Sequence, residues 1–194
     1  LYCRKKDSLD NGEEIVLDGN KLAEGHAFFD IGGIAYSEND RLLAYSVDTV
    51  SRRLYTIYIK DLETGLLLNE TIAGTSGNLV WASDNATLFY GMKDESLRPY
   101  KIFRHCVGTP ASDDPEVYHE ADDQFCVYVT KSKSRKYLII CSESTLSSEC
   151  RIMESDRPDQ PFRVFQPRQS DLLYDIGHFG DCFYIQTNAD GAQN

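Results

Sequence analysis

A repeat of about 46 residues constrains the fold of this chain more than any other feature of its sequence. Four short apolar runs begin at residues 33, 79, 125 and 172, at spacings of 46, 46 and 47 residues. Each run is followed about ten residues later by a second apolar run, which is typical of a short hairpin. A fixed period of this length indicates one supersecondary unit that is repeated along the chain.

The repeated unit is built from β-strands. The runs are rich in Val, Ile, Tyr, Phe and Thr, and no stretch keeps a 3.6-residue apolar pattern, so the sequence predicts an all-β fold. The predicted first strands are Gly33–Tyr36, Leu79–Ala82, Phe125–Val129 and Leu172–Ile176, and the second strands are Leu42–Ser46, Thr87–Gly91, Tyr137–Cys141 and Cys182–Gln186. The third strands are Leu54–Ile59, Tyr100–His105 and Glu149–Glu154, and the fourth strands are Leu66–Thr71, Glu116–His119 and Phe162–Gln166.

Four antiparallel strands in a unit of this size predict a blade of a β-propeller. The predicted fold is a partial β-propeller with three complete four-stranded blades and incomplete blades at both ends. The complete blades are placed at 31–74, 75–122 and 123–169, and the partial blades at 1–30 and 170–194. An immunoglobulin-like sandwich also has many short strands, but it does not predict a four-stranded repeat. Closed propellers hold about four to eight blades, so we expect an arc rather than a ring.

Charge and hydropathy exclude two classes of partner. The net charge of −11 would repel nucleic-acid backbones, and the longest apolar runs, such as 137–141, are far shorter than a membrane-spanning helix. The chain begins at Leu1 and ends after the turn dipeptide Asp190-Gly191, with no partner strand behind it. We therefore expect a piece of a longer protein, and we expect its incomplete end blades to favour self-association.

The six cysteines predict neither a metal site nor a redox cofactor. They show no C-x-x-C and no paired spacing, and most lie in apolar runs, so we expect buried, reduced thiols. Reduced thiols indicate the cytoplasm, with the periplasm as the alternative. Cys141 and Cys150 lie equally far from the centre of a predicted hairpin, so they should face each other across two strands as free thiols.

Seven segments, in order along the chain, resemble one family of peptidases. They are Leu17-Asp18-Gly19-Asn20 with Leu22-Ala23, Asp48 with Ser51-Arg52-Arg53 and Tyr55, Asp61-Leu62-Glu63-Thr64-Gly65, Val80-Trp81-Ala82, Arg104-His105 with Gly108-Thr109-Pro110, Glu120 through Asp122-Asp123 with Phe125, and Ser148-Glu149. Together they resemble the oligopeptidase B (protease II) type of bacterial enzyme, in the prolyl oligopeptidase family of serine peptidases.

The resemblance implies a two-domain parent protein. Such enzymes join an α/β-hydrolase domain, which carries a Ser-Asp-His triad, to a seven-bladed propeller that admits short peptides, and they cleave after Lys or Arg. This chain resembles the first half of the propeller, so we expect no catalytic residue in it and the hydrolase domain outside it. The alternative is a non-enzymatic interaction propeller of the kelch or WD-repeat type, but neither of those repeat signatures recurs here.

Two acidic residues are the candidate substrate-facing groups. Asp122 and Asp123 precede a predicted first strand, which lines the central channel of a propeller, and carboxylates there could attract peptides that contain Lys or Arg. The sequence Gly74-Thr75-Ser76-Gly77-Asn78 lacks the second glycine of a nucleophile elbow, so Ser76 is interpreted as part of an inter-blade turn.

The remaining conspicuous residues are interpreted as structural. Arg52 and Arg53 are expected to form an ion-pair network with Asp48 and Asp61 that clamps a blade, and Trp81 is expected to pack between blades. The four histidines, at positions 26, 105, 119 and 178, have no carboxylate partner at ligand spacing. His105 is therefore expected to make a structural hydrogen bond within its blade.

Overall fold

Fifteen β-strands make up most of the computed structural model, which describes residues 1–192. The strands are β1 (Tyr2–Lys5), β2 (Glu13–Leu17), β3 (Asp30–Tyr36), β4 (Leu42–Asp48), β5 (Tyr55–Asp61), β6 (Leu67–Trp81), β7 (Thr87–Lys93), β8 (Pro99–Cys106), β9 (Glu116–His119), β10 (Cys126–Lys131), β11 (Tyr137–Glu143), β12 (Ser148–Glu154), β13 (Arg163–Val164), β14 (Tyr174–Phe179) and β15 (Cys182–Thr187). The all-β prediction is confirmed. The last two residues of the predicted partial blade 170–194 lie outside the described residues.

Helical structure in residues 1–192 is limited to α1 (Gly19–Ala23) and two 3₁₀ turns, Ala111–Asp113 and Ala189–Gly191. Asp18 caps α1, since its carboxylate accepts hydrogen bonds from the backbone N–H groups of Asn20 and Lys21 at 3.1 and 3.2 Å. The sequence pattern does not predict α1, because five residues are too few to show a helical period. No helix within the described residues has the length and apolar character that crossing a membrane requires.

The strands form antiparallel sheets in chain order, and β6 joins two of the repeat units. Its first half pairs with β5 and its second half with β7, which gives one seven-stranded sheet of order β3 to β9. Gly74 and Gly77 have φ values of +75° and +91°, and the pairing of β6 with β7 is irregular between Thr75 and Leu79. The predicted turn at 74–78 is therefore wrong, because these glycines bend an extended strand without reversing it.

The third repeat unit is a separate four-stranded sheet of order β10 to β13, and β1–β2 and β14–β15 are hairpins. In this sheet Cys141 on β11 is the direct partner of Cys150 on β12, so the predicted register is confirmed. All six cysteines are free, but Cys3, Cys106, Cys126 and Cys182 are exposed. The prediction that most of them are buried is wrong, because the last three of these lie at the ends of strands and Cys3 lies in a two-stranded hairpin.

Four apolar clusters lie between successive repeat units, counting the two end hairpins as units, and form the core. The central strands β4, β7 and β11 are buried along most of their length rather than on alternate residues. This pattern arises because each complete unit is covered on both faces by its neighbouring units, so both sets of side chains leave water. Burial between consecutive units is therefore the main source of stability in this fold.

Polar side chains join neighbouring units near their first strands. The Trp81 indole N–H donates to the Ala35 carbonyl at 3.1 Å, and the Trp81 side chain is buried between the first two units. The Asn78 amide makes two hydrogen bonds to the backbone of Val129, donating to its carbonyl at 3.0 Å and accepting from its N–H at 2.8 Å. These contacts fix the positions of the first strands of the three units relative to one another.

Candidate functional site

A group of charged residues lies at the end of the fold where the inner strands begin. The inner strands are the first strands of the units, and β3 begins at Asp30 while β10 begins at Cys126. Because β4 and β7 run antiparallel to the inner strands, the loops that follow β4 and β7 lie at this same end. We call this end the start rim and define it by Asp30, Asp48, Arg53, Tyr55, Lys93, Asp94, Arg98, Glu120, Asp122, Asp123 and Arg168.

Asp122 and Asp123 both lie on the start rim, but their environments differ. The Asp122 carboxylate accepts the Gln124 backbone N–H at 3.0 Å and lies 3.8 Å from the Arg168 guanidinium. Its side chain is 40% exposed, whereas Asp123 is an exposed residue. The charge of Asp122 is thus partly offset by Arg168, and Asp123 presents the freer carboxylate to solvent.

Glu120 anchors the loop that carries both aspartates. Its Oε2 atom accepts hydrogen bonds from the Arg168 guanidinium, from the Ser142 hydroxyl at 2.5 Å and from the Tyr118 hydroxyl at 2.9 Å. Its Oε1 atom accepts the Asp122 backbone N–H at 3.0 Å. Burial alone would raise the pKa of Glu120, but these hydrogen bonds outweigh it and lower the pKa to about 2.

Arg98 holds the other side of the same loop. Its guanidinium pairs with Asp94 at 2.9 Å and donates to the backbone carbonyls of Asp122 and Phe125 at 3.0 and 2.9 Å. Three carbonyl and carboxylate groups are therefore fixed by one planar donor. This loop precedes β10, so Arg98 and Glu120 together set where the two aspartates lie.

A second group of rim residues surrounds Tyr55 at the junction of the first two units. The Tyr55 hydroxyl donates to Asp30 at 2.7 Å, and burial together with this carboxylate raises the pKa of Tyr55 to about 12. The ring fits between two glycines: a Cβ atom added at Gly32 or Gly77 would lie 2.6 or 2.8 Å from ring atoms. The packing on the glycines and the hydrogen bond to Asp30 thus fix the position of the Tyr55 ring. The Lys93 ammonium lies 5.9 Å from the centre of this ring, and burial lowers the pKa of Lys93.

The predicted ion-pair network of Arg52 and Arg53 is wrong. Asp48 instead accepts hydrogen bonds from the backbone N–H groups of Val50, Arg52 and Arg53 at 2.7–2.9 Å, and this outweighs burial to lower its pKa. Within residues 1–192 neither guanidinium pairs with a carboxylate, and Asp61 pairs with Arg41 at 3.1 Å. Asp48 thus organises the loop through its backbone, since a buried carboxylate is satisfied by converging N–H groups.

His105 makes the predicted structural hydrogen bond within its unit, to Asp114, and also contacts a second carboxylate, Glu70, that the sequence did not predict. The imidazole is fully buried, with its Nδ1 atom 2.9 Å from Asp114 and its Nε2 atom 3.3 Å from Glu70. Glu70 lies on the first half of β6, so one contact stays within the unit and the other crosses to the preceding unit. Spacing along the chain does not reveal the Glu70 contact, because packing of one repeat unit on the next creates it.

The structure does not support a nucleophilic role for Ser76. Its hydroxyl accepts the Asn78 backbone N–H at 3.3 Å, and it has no histidine partner in the described part of the chain. A serine–histidine contact occurs elsewhere, between the Ser134 hydroxyl and the Nδ1 atom of His178 at 2.7 Å. In a catalytic triad the serine faces Nε2 and a carboxylate faces Nδ1, so this pair has the wrong geometry.

Among residues 1–192, one cluster gathers groups that could hold a metal ion. Cys141, Cys150 and Asp175 place two sulfur atoms and a carboxylate oxygen within 4.8 Å of one another. Structural zinc sites use four protein ligands, so three groups do not make up such a site.

Sequence reasoning predicts a substrate-facing role for Asp122 and Asp123, which stays a prediction, and it missed the residues that position them. Arg98 and Arg168 lie 24 residues before and 46 residues after Asp122, in no recognisable local motif. Glu120 was among the residues that carry the family resemblance, which was the one available signal for its role.

Comparison with known proteins identifies the family. All residues, 1–194, match the family described as "Prolyl oligopeptidase, N-terminal beta-propeller domain". The chain belongs to the prolyl oligopeptidase family. The resemblance inferred from the sequence segments is thereby confirmed.

Individual relatives of the prolyl oligopeptidase family agree with this assignment. The chain is 45% identical over 184 residues to dipeptidyl aminopeptidase BI of Pseudoxanthomonas mexicana, covering 94% of this chain and 25% of that protein. It is 33% identical over 201 residues to Protease 2 of Moraxella lacunata, covering 100% of this chain and 29% of that protein. The chain therefore spans about a quarter of the length of these relatives.

The solved structure of oligopeptidase B from Leishmania major is similar to this fold with a TM-score of 0.91 and 30% sequence identity. The similarity covers 98% of this chain and 28% of that one. A second oligopeptidase B, from Trypanosoma brucei, matches with a TM-score of 0.85 and 33% identity over 97% of this chain and 27% of that one. The fold is a partial β-propeller of the oligopeptidase B type.

Proposed function

We propose that this chain is the substrate-gating propeller segment of a serine oligopeptidase that cleaves short peptides after Lys or Arg. The match of the whole chain to the propeller of a peptidase family carries the proposal. It also disfavours the alternative of a non-enzymatic kelch or WD-repeat propeller. The catalytic groups are then supplied by an α/β-hydrolase domain of the parent protein, against which the propeller packs.

In this proposal the parent protein follows the acyl-transfer scheme of serine peptidases. A serine activated by histidine attacks the scissile carbonyl, an aspartate orients the histidine, and backbone donors hold the oxyanion. This chain contributes access and orientation. Its inner strands form part of a channel wall that would admit a short extended peptide and exclude a folded protein.

The exposed carboxylates before β10 support a preference for basic peptides. Asp123 is exposed and Asp122 is partly exposed directly before β10, in a chain of net charge −11. Negative charges along a cleft raise the local concentration of cationic ligands and the rate at which these ligands associate. Free cysteines throughout residues 1–192 support a reducing compartment such as the cytoplasm.

A second candidate function is removal of dipeptides from free amino termini. The name of the 45% identical relative, dipeptidyl aminopeptidase BI, favours it. Carboxylates on the start rim are compatible with either a cationic side chain or a free terminal amine, since both present a positive charge.

The two candidates can be separated with the full-length protein and paired fluorogenic peptides. Each peptide ends in Arg, Lys or Pro before the reporter group and is used with a free or an acylated amino terminus. The oligopeptidase proposal expects cleavage of acylated Arg and Lys peptides and loss of activity with a serine-directed phosphonofluoridate. Cleavage restricted to free amino termini would instead establish the second candidate, and activity that resists the phosphonofluoridate would contradict both.

Steering by the rim is tested separately with Asp123→Lys in the full-length protein. The control is Asp159→Lys, an exposed aspartate in the loop that follows β12, at the opposite end of the fold. We expect Asp123→Lys to lower kcat/KM for Arg peptides about twofold or more at low salt, with the difference vanishing at high salt. If both variants keep the salt dependence of the unmodified protein, the steering role is refuted.

A further inference from the structure

The facing cysteines of the third unit form a site that the peptidase function does not use. Cys141 and Cys150 are direct partners on β11 and β12, their Sγ atoms are 3.5 Å apart, and both residues are buried. The other four cysteines are exposed. Within the described residues, only this pair of thiols lies close enough to react with each other.

The backbone around Cys150 shows that the pair has a geometry suited to a covalent bridge. The Cys150 N–H donates to the Tyr174 hydroxyl at 2.8 Å, and the Cys150 carbonyl accepts the Phe165 N–H at 2.9 Å. Neither group bonds to β11, so Cys141 and Cys150 are a non-hydrogen-bonded pair, in which Cα atoms lie about 4.5 Å apart. Disulfides span Cα separations of about 4.4–6.8 Å, so the backbone need not move.

We propose that Cys141 and Cys150 are a modification site at which a hydroperoxide produces a cross-strand disulfide. One thiol sulfur takes an oxygen atom from the peroxide and becomes a sulfenic acid, while the remainder of the peroxide leaves as water or an alcohol. The second sulfur then attacks the sulfenic sulfur, and its proton leaves with the displaced hydroxide as water. The pair loses two electrons, the peroxide gains them, and the Sγ atoms close from 3.5 Å to about 2.05 Å.

The surroundings of the pair determine how fast this oxidation proceeds. The hydrogen bond to Cys141, together with burial, raises the pKa of the Cys150 thiol, so the resting form of Cys150 is the protonated thiol. Peroxides react with thiolates, so oxidation requires local opening of the β11–β12 hairpin. A carboxylate oxygen of Asp175 lies within 4.8 Å of both sulfurs and belongs to an exposed residue, so one side of the pair is close to a solvent-exposed group.

The sequence provides a direct test by peptide mass spectrometry on the full-length protein. Trypsin releases residues 137–151 as one peptide that holds Cys141 and Cys150, and residues 105–131 as one peptide that holds Cys106 and Cys126. Cys106 ends β8 and Cys126 begins β10, at opposite ends of the fold. The second peptide is therefore a matched control with two exposed thiols that do not face each other.

The protein is treated with hydrogen peroxide, unfolded, alkylated and digested. We expect peptide 137–151 to accumulate in an unalkylated disulfide form that is two hydrogens lighter than the dithiol. A reductant should return this form to the dithiol. The disulfide should form more slowly than the oxidised forms of Cys106 and Cys126. In denaturant the strands no longer hold the two thiols together, so peptide 137–151 should form an intrapeptide disulfide no more readily than peptide 105–131. Two results would overturn the proposal: alkylatable thiols at both Cys141 and Cys150 long after the control peptide is oxidised, or equal formation of intrapeptide disulfide in both peptides of the native protein.

Discussion

The carboxylate of Glu120 accepts hydrogen bonds from four donors, which are the hydroxyls of Tyr118 and Ser142, the guanidinium of Arg168 and the backbone N–H of Asp122. It is 5% exposed, so these donors replace water almost completely. A buried residue thus holds the backbone of the partly exposed Asp122 in place. Its partners come from β9, β11 and the segment before β14, which local sequence patterns do not connect.

Glu120→Gln should change how stability depends on pH. The fold lowers the pKa of Glu120 from its ordinary 4.5 to about 2, so the ionised form stabilises the fold above pH 4.5 and this contribution is lost as pH falls through about 2. We expect the variant to lose about 1–3 kcal/mol at neutral pH, because Arg168 loses its charged acceptor. Denaturant titrations from neutral pH to about pH 2 should show the loss shrinking.

An exposed carboxylate provides the control for this experiment. Glu13→Gln removes the same charge from an exposed position on β2, so its effect on the free energy of unfolding should stay small at every pH. A loss in Glu120→Gln that stays constant down to pH 2 would contradict the role assigned to the ionised carboxylate.

Sequence reasoning was reliable for residues whose role depends on strand register and weak for residues whose role depends on sheet packing. The facing of Cys141 and Cys150 follows from counting along one hairpin, and the structure confirms it. The role of Arg52 was predicted wrongly, because its backbone N–H and not its guanidinium contacts Asp48. For His105 the hydrogen bond within its unit is confirmed, but the contact with Glu70 of the preceding unit was not predicted.

At the scale of elements, β6 contains both of the strands that the repeat period predicts, but it lacks the predicted turn between them. The 46-residue spacing placed a fourth strand and a first strand on either side of residue 74, and both are present. The two strands are continuous, because the positive φ values of Gly74 and Gly77 bend the chain from one repeat unit into the next within a single strand. The glycines were visible in the sequence, but a turn and a bent strand use them equally well.

The second half of β6 also carries the contact that joins the second and third units. Asn78→Ala would remove both hydrogen bonds to Val129 and leave the backbone N–H and carbonyl of Val129 without these partners. We expect a loss of about 1–3 kcal/mol in the free energy of unfolding, measured by urea denaturation.

Asn69→Ala is the matched control, since Asn69 is an exposed residue of the same strand whose side chain makes no hydrogen bond to another described residue. It should change stability by about 0.5 kcal/mol or less. If the two substitutions cost the same, the amide bridge does not join the units.

At the scale of the whole molecule, the stability of each sheet depends on its neighbours. The last hairpin, β14–β15, packs on β12 with one face, while Phe179, Tyr184 and Ile185 are 61%, 62% and 51% exposed. Strand β15 has no pairing partner other than β14 within residues 1–192. Apolar side chains beside an unpaired strand edge favour association with another chain.

We therefore predict that the isolated chain of residues 1–194 self-associates through this hairpin. Light scattering over a tenfold range of micromolar concentrations should show the mean mass rising with concentration. Tyr184→Lys, at an exposed position on β15, should reduce the association, whereas Tyr2→Lys on the opposite end hairpin tests whether β1 also contributes. A constant monomer mass would contradict this prediction.

The account rests most heavily on the claim that this propeller segment gates a serine oligopeptidase, and the size dependence of cleavage by the full-length protein tests that claim most directly. The measurement compares kcat/KM for one Arg-containing sequence as a short acylated peptide and as an exposed loop of a stably folded protein. We predict rapid, phosphonofluoridate-sensitive cleavage of the peptide after Arg and none of the folded protein. Comparable cleavage of both substrates, or no cleavage of the peptide, would contradict the account.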